Sequence, residues 1–204
     1  MGLRNSEGFR RIREKPGKVM GHINVEIKAR CSNPERVRAI LRERGAEYKG
    51  MDRQTDTYFK VAKGRLKLRQ GDIENGLIHY ERPDQVGPKQ SDVSLYPVEN
   101  ASALKQVLTA ALGVFKVVKK KRQIYFLENV KFHLDVVEGL GRFVEIEAIG
   151  AAGAADTAEL LGQCRKYMDL LGIAQADLVD ASYADMLPAF AGRLQNDPPS
   201  VHPV

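Results

Sequence analysis

The chain has 204 residues, 43% of them hydrophobic and 28% charged, enough apolar material for a genuine core in one domain or two small ones. That balance excludes a collagen-like or wholly disordered chain, and no run approaches the ~18 consecutive apolar residues of a membrane helix. The 32 basic and 26 acidic residues leave a net charge of +6, which directs attention to polyanionic partners.

In chain order, the first twenty residues hold Arg4, Arg10, Arg11, Arg13, Lys15 and Lys18 against Glu7 and Glu14, a net of +4 that leaves +2 for the rest. They contain no apolar run, so residues 1–20 are expected to be a flexible basic extension and not a secretory signal. Period-2 alternation predicts a first strand over 22–30. Ser32-Asn33-Pro34-Glu35 offers a capping box for a helix that carries Val37, Ile40 and Leu41 on one face and stops at Gly45. Strands are predicted over 54–61, 65–70, 77–82 and 90–96, with turn signals at Lys63-Gly64 and Glu74-Asn75-Gly76. A second helix runs from Asn100 through Leu104, Val107, Leu108, Ala111 and Leu112 to Gly113. Strands over 122–127, 130–137 and 142–149 follow, turned at Glu128-Asn129 and at Glu138-Gly139-Leu140-Gly141. A third helix begins near Asp156, stripes Leu160, Leu161, Cys164, Tyr167, Met168 and Leu171 along one face, and stops at Gly172. A short helix after Ser182 is halted by Pro188, and residues 191–204, rich in proline and polar side chains, are expected to be a disordered tail. The fold class is therefore α+β: one domain over 21–190, an eight-stranded antiparallel β-barrel with helices packed outside. Cys31 and Cys164 are far apart and match no C-x-x-C spacing, so reduced thiols and a cytoplasmic address are expected.

Residues two apart on a strand share a face. Asn24, Glu26 and Lys28 oppose Ile23, Val25 and Ile27; Arg65, Lys67 and Arg69 oppose Leu66 and Leu68. Arg82 shares a side with Ile78 and Tyr80, and Lys120 falls on one side with Arg122. Lys131, His133 and Asp135 alternate with Phe132, Leu134 and Val136, and Glu145 and Glu147 oppose Val144, Ile146 and Ala148. For any single strand this is what a water-facing side looks like. As a set, the polar faces are almost wholly ionic and sorted by sign, with carboxylates on the first and last strands and cations on the middle ones. A closed barrel would gather them into a lumen holding carboxylates fit for Mg²⁺ or Mn²⁺ and a row of cations fit for phosphate oxygens. The four histidines show no metal-ligand spacing, and His133 is compatible with either a lumen-facing or a structural place. There is no P-loop, and a nucleic-acid surface finds little support where aromatics make up 7% of the chain and tryptophan is absent.

Asn24-Val25-Glu26-Ile27-Lys28 resembles the ExExK strand of the CYTH superfamily, the triphosphate tunnel metalloenzymes. Asp56-Thr57-Tyr58-Phe59, Gly64-Arg65-Leu66-Lys67-Leu68-Arg69, Tyr80-Glu81-Arg82, Lys120-Lys121-Arg122-Gln123-Ile124-Tyr125, His133-Leu134-Asp135 and Phe143-Val144-Glu145-Ile146-Glu147 are similar, in order, to its class IV adenylate cyclase-like branch. Ser182-Tyr183 resembles that branch's C-terminal end. The resemblance implies an antiparallel tunnel that binds a triphosphate with Mg²⁺ or Mn²⁺. Carried over by position, Glu26, Glu145 and Glu147 would ligate metal, with Asp135 supporting the metal or its waters. Lys67, Arg69, Arg82, Lys120 and Arg122 would hold triphosphate oxygens, Lys28 would be a phosphate contact or, as in hydrolytic members, a candidate base, and Lys89 and Ser91 match more loosely. Asn24 departs from the pattern: its carbonyl can ligate, but one negative charge is gone, so a second metal would bind less tightly.

In such a site ATP would be cyclised to cyclic AMP and pyrophosphate, the reaction of the branch matched. The alternatives are hydrolysis of inorganic or organic triphosphate, such as thiamine triphosphate, and non-enzymatic binding of a nucleotide or polyphosphate. The expected partner is ATP or another triphosphate, with no membrane and no nucleic acid. Because class IV cyclases are dimers as a family, the resemblance implies a homodimer here, although nothing in this sequence marks an interface.

Overall fold

The computed structural model describes residues 19–188 apart from 152, 154 and 155. Of the basic extension expected over 1–20, residues 1–18 lie outside the described residues, as does the tail expected over 191–204. Eight strands form the domain: β1 (Met20–Arg30), β2 (Glu47–Phe59), β3 (Arg65–Gln70), β4 (Gly76–Glu81), β5 (Lys89–Pro97), β6 (Val114–Leu127), β7 (Val130–Val137) and β8 (Gly141–Ala151). They close into an antiparallel barrel in the order β1-β5-β4-β3-β2-β6-β7-β8, with β8 returning to β1. Four α-helices accompany them: α1 (Pro34–Glu43), α2 (Ala101–Leu112), α3 (Thr157–Leu171) and α4 (Tyr183–Met186). The expected architecture is the observed one.

Two strands start well before the residue their alternation predicted. β2 begins at Glu47 and ends at Phe59, where 54–61 was expected, and Gly50, at φ 134°, sits where the β2–β6 register slips between Tyr48 and Gly50. The irregularity breaks the period-2 pattern that would have marked the start. β6 begins at Val114: its run Lys119-Lys120-Lys121 reads as uniformly charged, yet Lys116 and Lys120 are buried while Lys119 and Lys121 face out. At α1 the expected Ser32–Glu35 capping box is not formed. Asn33 is the N-cap and its side chain accepts from the Arg36 amide at 3.0 Å, with Pro34 in the first turn. Asn100, Asp156 and Ser182 cap α2, α3 and α4, at the starts expected for these helices, the last in a capping box with Asp185.

The outward faces of β1, β7 and β8 make the main core. Val25, Ile27 and Ala29, then Phe132 and Leu134, then Val144, Ile146 and Ala148 pack under Val37 and Leu41 of α1 and Leu160, Cys164, Tyr167 and Leu171 of α3. Phe132 meets Tyr167 edge-on with ring centroids 5.0 Å apart. A second cluster fills one end of the barrel, where Tyr183 and Ala184 of α4 pack on the inward side chains Tyr58, Val118, Val137 and Phe143. Apolar packing thus covers one face of the sheet and plugs one end, and the inner faces between are left to charge. Among the described residues, no helix is long and apolar enough to cross a membrane.

Phe132 is fully buried at the centre of the outer core. Phe132→Ala is expected to destabilise the fold by about 3–5 kcal/mol, read as a lower urea midpoint at unchanged slope. A loss under about 1 kcal/mol would show that α3 is not part of the cooperative core.

Candidate active site

Alternate side chains of the strands converge on one cavity of about 800 Å³. Every predicted site residue except Asp135 borders it: Glu26 and Lys28 from β1, Lys67 and Arg69 from β3, Arg82 just past β4, Lys120 and Arg122 from β6, Glu145 and Glu147 from β8. Asp135 stands behind Arg122, receiving its Nε at 2.7 Å and its NH2 at 2.5 Å, and also accepts from the Tyr183 hydroxyl at 2.9 Å. Of the looser matches, Ser91 borders the cavity, while buried Lys89 donates at 2.8 Å to the Asp180 carbonyl in the segment before α4.

The cations of the middle strands are held together by an acid that sequence reasoning did not assign. Asp56 of β2, wholly buried, takes a two-point contact from Arg69 at 2.9 and 3.1 Å, the Lys120 ammonium at 2.6 Å and Lys67 at 3.5 Å. Burial alone would raise its carboxyl; Arg69, Lys120 and Lys67 together hold it well below the usual carboxylate range. The lysines move the other way. Burial, reinforced by Arg122 and Arg69, depresses Lys120 to about 7 and Lys67 to about 8 against the pull of Asp56. Glu74, in the turn before β4, ties Arg69 at 2.8 Å to Lys131 of β7. Asp56 was legible as the inward partner of Tyr58 two positions on, but Glu74 lies in a turn where alternation gives no signal.

On the carboxylate side, Glu145 receives Arg122 NH2 at 2.6 Å and lies 3.3 Å from Lys28 Nζ. Burial opposes its ionisation, but Arg122 and Lys28 keep its carboxyl well below the ordinary range. Glu147 is likewise lowered, burial being outweighed by His133 and Lys131. Glu26 is paired with Arg82. Lys28 also sits 3.9 Å from the centre of the Tyr183 ring, and burial lowers its ammonium. Arg122 therefore bridges the two halves of the site, its guanidinium shared between Asp135 and Glu145.

The carboxylates fit a divalent cation. Glu26 and Glu147 are direct cross-strand partners, a like-charge juxtaposition that a cation between them would relieve. Asn24 borders the same cavity, and its buried Oδ1 has no hydrogen-bond partner among the described residues. Carboxylate and amide oxygens are hard donors suited to Mg²⁺ or Mn²⁺. Beside Lys67 and Arg82, Ile78, Tyr80, Val93 and Leu95 of β4 and β5 give the cavity one apolar wall.

Residues 22–183 match the sequence profile of the family described as the CYTH domain. A protein of Methanocaldococcus jannaschii, provisionally named an adenylate cyclase, is 25% identical over 175 residues, 80% of this chain and 98% of that protein. The structure of a Pyrococcus horikoshii protein superposes with a TM-score of 0.68 at 24% identity, covering 81% of this chain and 99% of the other. That of a Hippeastrum protein, described as an adenylyl cyclase candidate with a dominant triphosphatase activity, gives 0.52 at 15% identity over 79% and 91%.

Two outcomes follow from the Asp56 cluster. Asp56→Asn leaves three buried cations without their shared counter-charge and is expected to cost about 3–5 kcal/mol of stability in urea titrations of the ligand-free protein. An unchanged midpoint would contradict the pairing. With Lys120 near 7 and Lys67 near 8, both are partly neutral at pH 8, and a polyanion that favours their charged forms must draw in protons. Calorimetry with tripolyphosphate in buffers of different ionisation enthalpy should show net proton uptake at pH 8 and affinity falling as pH rises further. Lys120→Arg should remove much of that uptake, and buffer-independent heats would contradict the lysine environments described.

Proposed function

The chain belongs to the CYTH domain family, whose members are adenylate cyclase-like or triphosphatase enzymes, and on that premise we propose that it is a divalent-metal-dependent enzyme cyclising ATP to cyclic AMP and pyrophosphate. One observation carries the reading: a single cavity holds Lys67, Arg69, Lys120 and Arg122 on one wall and Glu26, Glu145 and Glu147 on another. Such a lumen matches a polyphosphate in charge and its metal in donor type. About 800 Å³ exceeds what three phosphates need, and the apolar wall of Ile78, Val93 and Leu95 supports an organic group on the substrate.

In this proposal the four cations, with Arg82, bind the non-bridging phosphate oxygens and hold the chain of phosphorus atoms in line for displacement. Glu26, Glu145 and Glu147, with the Asn24 carbonyl, would hold the ion. When bound, that ion would neutralise phosphate charge and stabilise the charge that develops in the transition state. Asp135 is a positioning residue, fixing the Arg122 plane from behind by its two-point contact. Lys28, whose ammonium burial lowers, would accept the proton of the attacking 3′-hydroxyl as the neutral amine, having first given its own proton to the medium. The new bond joins O3′ to the α-phosphorus as the bond to the β-phosphate oxygen breaks and pyrophosphate leaves. The cavity is closed at the α4 end by Tyr183 and the apolar cluster around it, which limits water there.

Hydrolysis is a second reading, favoured by the 3.3 Å contact between Lys28 and Glu145. Beside that carboxylate, Lys28 in its neutral amine form is placed to take a proton from water as readily as from a ribose. Incubation with ATP and with inorganic triphosphate, each with Mg²⁺ or Mn²⁺, followed by chromatography, separates the two. Cyclic AMP with pyrophosphate is expected from ATP, and Lys67→Ala and Arg122→Ala should each lower kcat/KM about 100-fold or more. Orthophosphate without cyclic AMP would replace cyclisation by hydrolysis, and no turnover of either triphosphate would overturn both.

A further inference from the structure

His133 of β7 is buried to 1% exposure and turns toward the carboxylates of β8. It lies directly across from Glu145 in the β7–β8 register, next to the Lys131–Glu147 pair. Its Nδ1 is 3.2 Å from Glu145 Oε2 and 3.4 Å from Glu147 Oε1, and one ligand atom from each of the three residues falls within 4.8 Å of the others. Two carboxylates meeting one ring nitrogen call for a positive centre between them, either a proton or a metal. Donors bound at about 2.1 Å lie about 3.0 Å apart at a right angle and about 3.4 Å apart at the tetrahedral angle, so both measured separations suit neighbouring ligands of one ion.

Two further observations lean the same way. Asn24, 5% exposed, borders the cavity, and its buried Oδ1 has no partner among the described residues. Glu26, two positions along β1, faces Glu147 directly across the β1–β8 ladder. The groups around the imidazole are Arg122, which donates to Glu145 Oε2 at 2.6 Å and can leave that oxygen's second lone pair free, Lys28 on Glu145 Oε1, and Lys131 beside Glu147.

We infer that His133 is itself a metal ligand, completing with Glu145 and Glu147 a nitrogen-containing site that prefers Mn²⁺ and other transition metals to Mg²⁺. An imidazole ligand raises affinity along the first transition series and does little for Mg²⁺, which favours oxygen. The inference deepens the function proposed above and rests on Glu145 and Glu147 holding the ion. It requires no particular reaction.

The test uses the full chain and metal alone. Electron spin-echo modulation of the Mn²⁺-loaded protein should show coupling to a directly bound imidazole nitrogen, altered when histidine is labelled with ¹⁵N. Calorimetry should give tighter binding of Mn²⁺ than Mg²⁺, and His133→Phe should weaken Mn²⁺ about tenfold or more with little change for Mg²⁺. His22, which also borders the cavity, is the control: His22→Phe should retain the nitrogen coupling. The labelled wild-type spectrum stands even if His133→Phe fails to fold. Bound Mn²⁺ with no nitrogen coupling, or coupling lost in His22→Phe and kept in His133→Phe, overturns the assignment of His133 and spares the carboxylates. No Mn²⁺ bound by the wild type overturns the metal reading as a whole.

Discussion

Closing a sheet into a barrel denies half of each strand's side chains an exit to water, so any charge on an inward position must be neutralised inside. The rest of this structure depends on that constraint. Asp56 answers it for the cations of β3 and β6 by accepting from Arg69 and Lys120 while pairing with Lys67 at 3.5 Å. Arg122 answers it for the acids by lying between Asp135 and Glu145. Each group is held in place by a neighbour of opposite sign, and removing either centre would leave buried charge uncompensated.

Such an interior is not the most stable one available. Well-packed apolar side chains of similar volume are often as stabilising as a buried ionic network, or more so, and the outer core of Phe132, Ile146 and Tyr167 shows that this sequence builds them readily. The charges are therefore best understood through what they can hold. Fixed in pairs before any ligand arrives, they present cations on one wall and carboxylates on another, with little rearrangement left to do. The Tyr183–Asp135–Arg122 chain extends this order to the C-terminal helix, coupling the plug at the end of the barrel to the guanidinium at its centre.

Much of this could be read from alternation alone. On β1, β3, β7 and β8 the period-2 rhythm is clean, and Glu26, Lys67, Arg69, Glu145 and Glu147 are found where it puts them, bordering one cavity. Where the rhythm is disturbed, the reading was incomplete. The bulge at Gly50 concealed the first half of β2, and with it Asp52, which is buried and accepts from the Ile73 and Glu74 amides. The lysine run of β6 looked solvated because inward and outward positions carry the same residue type. Asp135 was on the predicted face, but the sequence could not reveal that Arg122 would stand in front of it. Pairings such as Asp56 with three cations, or His133 with two glutamates, arise from strands distant in sequence and exist only once the barrel closes. The net charge of +6 said little about any of this; the sorting of charge by strand said most.

The central claim is that the sorted interior holds a triphosphate and its metal together. The most direct test is a crystal structure with Mn²⁺ and an ATP analogue that cannot be cleaved at the α-phosphorus. The account predicts phosphate oxygens in contact with Lys67, Arg69, Lys120 and Arg122 and the ion against Glu145 and Glu147, within the barrel. An analogue bound on the outer surface, with the Asp56 and Arg122 pairings undisturbed and no ion inside, would contradict it.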